Sequence, residues 1–241
     1  MTQAVLFLAA ILAGAIASLS GFGIGSVLTP LLALTLGTKE AVVAVSIPHL
    51  VATAIRFWNL RDRIDRHLLK NFGLASAAGG LLGALLGSRF SSPILAYILG
   101  ALLVFAGFMG LTGLGKKMRF GTKIAWLGGA LSGLLGGLVG NQGGIRSAAL
   151  LGFSLEPKTF VATATAIALI VDGARMPIYF FTSPQTVHRL GGLIAIMVAG
   201  VTIGTLAGER VLARIPENHF RRLVSLLIFV LGIVMLSDVA K

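Results

Sequence analysis

The sequence predicts an all-α integral membrane protein. It reads as two inverted repeats, each a glycine-broken helix or re-entrant hairpin plus three transmembrane helices, about eight membrane segments in all. Three observations predict this. Of 241 residues, 56% are hydrophobic and 12% charged, with a mean hydropathy of +0.95, roughly half the charge of a soluble domain. The apolar runs are about 16 to 25 residues long and are joined by short polar links, as spans of a hydrocarbon core require. The third observation is an internal duplication.

The two halves, 1–115 and 120–241, form a single membrane domain. Setting "AGAIASLSGFGIGS" (13–26) on "GGALSGLLGGLVGN" (128–141) places Gly14 on Gly129, Gly21 on Gly136 and Gly25 on Gly140. Farther on, "GALLGSR" (83–89) matches "GTLAGER" (204–210), and Arg56 matches Arg175 after a short gap. Duplicated halves are a common plan in secondary transporters, whose substrate sits between the repeats near the bilayer midplane.

In chain order, the first element is the glycine-broken stretch 4–36, too long for one span and short for two. It contains "AGAIAS" (13–18), which resembles a signal-peptide cleavage site, but residues 1–19 hold no Lys or Arg and the stretch has a later copy, so it is read as structure. Helices follow at 40–57, 68–88 and 93–114. Between the first two, "RFWNLRDRIDRHLLK" (56–70) reads as a cytoplasmic link with Trp58 as an interfacial anchor. The second broken stretch is 123–154, followed by helices at 157–181, 189–208 and 218–238. The glycines of "GGLLGALLG" (79–87) and "GVTIGTLAG" (200–208) are assigned to helix packing.

Charge discriminates between topologies. With each broken stretch as one crossing, Lys and Arg divide eleven against seven. With both as re-entrant hairpins, Lys39, Arg89, Arg189 and Lys241 stand against fourteen others outside the apolar runs. The positive-inside rule favours the second arrangement, which also inverts one half relative to the other.

The breaks carry the candidate chemistry. In "LSGFGIGSVLTP" (19–30), Gly21, Gly23 and Gly25 let the chain turn, Ser26 and Thr29 offer hydroxyls, and Pro30 is placed in the first turn of the second half-helix. The second break, Gly140, Asn141, Gln142, Gly143 and Gly144, starts a helix at Ile145 and puts Arg146 in its first turn. Open amides plus a guanidinium favour an anion. Arg146 there has the wrong sign for the helix dipole. The competing account makes the glycines packing residues and Arg146 a snorkelling or acid-paired charge.

In "VDGARMPIY" (171–179), Asp172 lies three residues before Arg175 on one helix face. An internal pair, a substrate role for Arg175 and a proton-coupling role for Asp172 all fit. His49, after Pro48, reads better as a satisfied buried histidine than as a proton relay. Thr165, which aligns with Ser46, and Thr163 are possible lining. "GFGIGS" lacks the βαβ setting of a dinucleotide loop.

With these breaks the chain resembles the TauE/SafE sulfite exporter family, also called the toluene sulfonate uptake permease family. The resemblance rests on "GFGIGSVLTPLLAL" (21–34) and "GLVGNQGGIRSAALL" (137–151), each opening one half, and covers essentially the full length. The second copy departs from the family pattern, with Arg146 where many members carry an apolar residue or proline. The resemblance implies a transporter of the bacterial inner membrane that moves a small sulfur-containing anion such as sulfite, thiosulfate or an organosulfonate.

The expected function is therefore transport of a small oxyanion by alternating access, with protons as the expected coupling ion. Ser26, Thr29, Gly25, Asn141, Gln142, Gly143 and Gly144 are expected to surround the anion, with Arg146 and Arg175 supplying charge. A passive anion channel fits the same residues. An intramembrane hydrolase fits poorly, because His67, His188 and His219 lie in links or at helix ends. No enzyme activity, cofactor, metal or nucleic-acid partner is expected; the chain has no cysteine, and its basic residues sit in links. The oligomeric state stays open, a dimer included.

Overall fold

The computed structural model describes residues 2–21, 23–114, 122–141, 143–151, 153, 155–212 and 217–239. It is 91% helical, with no strand among the described residues. Each glycine-broken stretch is a pair of helices. The first pair is α1 (Gln3–Ser20) and α2 (Ile24–Leu36), followed by α3 (Thr38–Leu60), α4 (Arg66–Gly87) and α5 (Ser92–Thr112). The second pair is α6 (Thr122–Val139) and α7 (Gly143–Leu151). After it come α8 (Pro157–Thr182), the short α9 (Pro184–Arg189), α10 (Gly191–Leu212) and α11 (Glu217–Val239).

Glycine makes both breaks. Gly21 and Gly23 have φ of 74° and 142°, and Gly140 has φ of 70°, backbone that a residue with a Cβ adopts only under strain. Helix starts differ from the sequence expectation at both breaks. α2 begins at Ile24, so Pro30 lies inside the helix and not in its first turn; lacking an N–H, it leaves the Ser26 carbonyl without its i+4 donor. α7 begins at Gly143, not Ile145.

Among the described residues, six helices are long and apolar enough to cross a membrane, and α2 and residues 126–139 are shorter apolar helices. The surface is apolar, with Phe181, Leu127 and Leu8 more than 60% exposed, while Arg146, Arg175 and Asp172 are buried. That is the inside-out distribution of a protein solvated by lipid.

The halves interlock reciprocally: α1 packs on α10, α6 on α4, and α5 on α11, with α3 and α8 between them. The glycine ladders assigned to packing are where backbones meet. A Cβ at Gly83 would overlap the Leu134 carbonyl, and one at Gly204 the Ile11 carbonyl. The order of these contacts gives direction. Gly200 faces Phe7 and Ala10, Gly204 faces Ile11 and Ala15, and Gly208 faces Ala15 and Ser18, so α1 and α10 run parallel. Gly79 faces Ala130, and Gly83 faces Leu134 and Leu138, so α4 and α6 are also parallel. Gly100 faces Leu236 and Gly107 faces Phe229, which makes α5 and α11 antiparallel.

Candidate anion site at the two helix breaks

The breaks touch each other. Gly25 lies so close to the Gly140 carbonyl that a side chain there has no room. Beside this contact, the Ser26 hydroxyl donates to Asn141 Oδ1 at 3.2 Å, and Gly140 packs next to Thr29 and Val42. Gly143 and Gly144 open α7; as in any helix, its first N–H groups have no intrahelical acceptor. Gln142 lies outside the described residues.

Arg146 projects from this first turn into the protein, only 1% exposed. Its Nη2 donates to the Gly21 carbonyl at 3.1 Å, across the junction between the halves. Nε and Nη1 have no hydrogen-bond partner, and the same holds for the buried hydroxyls of Thr29, Ser147 and Thr165. A buried guanidinium with open donors is costly unless a charge answers it.

The only buried carboxylate among the described residues, Asp172, is already engaged. Its Oδ2 lies 2.7 Å from His49 Nδ1, while Oδ1 takes Arg175 Nε at 3.0 Å and Nη2 at 2.7 Å. Arg175 Nη1 also donates to the Gly136 carbonyl at 2.6 Å, and the Tyr179 hydroxyl donates to the Gly137 carbonyl. Arg175 and Asp172 thus form a pair that braces the end of α6, with His49 satisfied by the same carboxylate. Thr163 accepts the Asp65 N–H at 2.9 Å, on the link that follows α3. Ser46, the counterpart of Thr165, donates to the Val43 carbonyl at 2.6 Å.

Arg56 is the site residue that sequence reasoning missed. Read at the end of the helix 40–57 and the start of a polar link, it lies inside α3 and is 3% exposed. It donates through Nη1 to the Ala17 carbonyl and through Nη2 to Thr53 Oγ1 at 3.3 Å, leaving Nε unpartnered. The available signal was its match to Arg175, whose neighbours are apolar. Trp58, by contrast, is exposed, with Arg61 stacked 4.4 Å from its ring, as fits an interfacial anchor.

Among the described residues, three buried guanidiniums, Arg56, Arg146 and Arg175, therefore stand against one buried carboxylate, which bonds Arg175 alone of the three. Asp172 is taken by Arg175 and His49, and among the described residues no other buried carboxylate answers Arg56 or Arg146. A small cleft of about 20 Å³ lined by Lys39, Val42, Ser88, Gly137, Leu138 and Tyr179 reaches residues beside the Gly140 break.

An apolar exterior around a charged, helix-broken interior defines a multi-pass membrane protein. The chain belongs to the TauE/SafE family of membrane transporters: the family model described as Sulfite exporter TauE/SafE matches residues 6–235, nearly the whole chain. No curated protein and no solved structure matches it.

Proposed function

We propose that the protein moves a small sulfur-containing oxyanion across the bacterial cytoplasmic membrane, binding it where the two helix breaks meet. The observation that carries this reading is Arg146, buried at 1% exposure with Nε and Nη1 unpartnered. A tetrahedral or pyramidal oxyanion offers the charge and the acceptor oxygens that the guanidinium and the α7 amides lack. Thr29, Thr165 and Asn141 line the same junction in this reading, with Ser26 orienting Asn141. Arg175 acts through its bond to the end of α6.

The two halves are inverted repeats in this proposal, each helix pair entering the membrane and returning. Helix direction supports it. If the chain reverses at both breaks, α1 runs with α10, α4 runs with α6, and α5 runs against α11, as the contacts above require. If neither break reverses, α5 and α11 come out parallel, contrary to their contact order. The positive-inside count supports the same topology: withdrawing buried Arg56 leaves thirteen Lys and Arg against four, which sets the larger group in the cytoplasm. Inverted repeats that share a midplane site permit alternating access by exchanging their conformations. The His49–Asp172 pair is the proposed coupling site, a proton there altering the charge opposite Arg175.

The test is sulfite flux in proteoliposomes. Wild type is expected to accumulate sulfite when a proton gradient is imposed, and Arg146→Gln to lose the uptake. Equal sulfite and chloride flux that only dissipates gradients would make the protein a passive channel. Undiminished uptake by Arg146→Gln would overturn the site.

A further inference from the structure

The two halves differ at one position beside their matched arginines. The offset that sets Arg56 on Arg175 also sets Thr53 on Asp172. The surroundings correspond as well: each arginine bonds the residue three before it on its own helix, and each bonds a carbonyl near the end of the first broken helix of its own half, Ala17 for Arg56 and Gly136 for Arg175. In the second half the partner three residues back is a carboxylate; in the first it is a hydroxyl. Arg175 is thereby neutralised and Arg56 is not.

Arg56 and Arg146 hang from the same helix end. Their acceptors are Ala17 O in the last turn of α1 and Gly21 O at the left-handed residue that ends it, four residues on. Both residues are at least nine-tenths buried, and both keep unpartnered N–H groups: Nε of Arg56, and Nε and Nη1 of Arg146. The carbonyl end of a helix favours cations but is equivalent to only about half a charge, too little to answer two.

Building on the anion reading above, we propose that Arg56 is a binding residue that acts with Arg146 on one doubly charged oxyanion, and that the neutral residue at Thr53 leaves this charge open. The site accordingly discriminates by ligand charge. A dianion answers both guanidiniums, whereas a monoanion leaves one of them buried without a counter-charge. The Arg175–Asp172–His49 group, balanced internally, contributes little to this preference.

Calorimetry on the purified full chain in detergent tests this, with thiosulfate as the dianionic probe and methanesulfonate as the monoanionic one, at constant ionic strength. Wild type is expected to bind thiosulfate at least about tenfold more tightly than methanesulfonate, and Arg56→Gln to lose about tenfold or more in thiosulfate affinity, as for one hydrogen bond between charged groups. Its methanesulfonate affinity should change much less, so that the ratio collapses. Thr53→Asp supplies the missing carboxylate. It should abolish the dianion preference in the same way while raising the thermal midpoint of the ligand-free protein, a result that does not depend on Arg56→Gln folding. Wild-type thiosulfate affinity and ratio in both variants would overturn the role of Arg56. If Arg146→Gln alone then loses both anions, the broader transport reading survives. Failure of wild type to bind either probe would end both readings.

Discussion

Arg146 meets no carboxylate among the described residues: it bonds the Gly21 carbonyl, and Asp172 is taken by His49 and Arg175. The sequence made Arg146 conspicuous because a permanent cation stood among glycines in an apolar run. It left the Asp172–Arg175 pairing as one of three readings, since helical spacing establishes a shared face but not whether a third group competes for it. The burial of Arg56 was illegible for a different reason. Its flanking basic and aromatic residues resemble a link, and only the packing of α3 against its neighbours removes it from the surface. At this scale the prediction concerns Asp172. Asp172→Asn removes the counter-charge of Arg175 and leaves one acceptor oxygen where Arg175 and His49 now use two, and breaking a buried ion pair from one side costs about 3–5 kcal/mol. The thermal midpoint in detergent should fall sharply, and adding Arg175→Gln should restore part of it. An unchanged midpoint would mean that water already solvates the pair.

The helix pairs at the breaks were legible as glycine clusters, but their boundaries were not. Periodicity cannot decide whether Pro30 caps a helix or sits within one, and the structure places it inside α2. The packing glycines were readable because small residues at four-residue spacing let apolar helices approach closely. Their contrast supplies a test. At Gly83 a Cβ meets the Leu134 backbone, whereas at Gly173 nothing lies within 4 Å. Gly83→Ala should destabilise by about 1–3 kcal/mol through overpacking. Gly173→Ala should be neutral or stabilise by up to about 1 kcal/mol through helix propensity. Thermal unfolding of the two variants side by side checks this, and equal midpoints would remove the argument that the glycines set the spacing between α4 and α6.

For the whole molecule, composition and the duplicated motifs carried the all-helical membrane class, which the structure and the family match share. Direction through each break was not in the pattern of apolar runs, because a hairpin and a single crossing can have the same hydropathy; it rests on which residues face each other between α5 and α11. The chain has no cysteine, so single substitutions report topology without background. On the proposed arrangement Asp62→Cys and Glu156→Cys react with a membrane-impermeant thiol reagent from one side, and Phe90→Cys and Gln185→Cys from the other. Single crossings at both breaks would instead place 62 with 185. The claim at the centre of the account is that an anion completes the junction between the halves. The most direct measurement is a crystal structure grown with selenite, a heavier analogue of sulfite, with selenium located by anomalous scattering. The account predicts a peak within hydrogen-bonding reach of Arg146 Nε or Nη1, beside the contact of Gly25 with Gly140. Those nitrogens bound instead to ordered water or to a protein acceptor, with selenium absent from the junction, would contradict it.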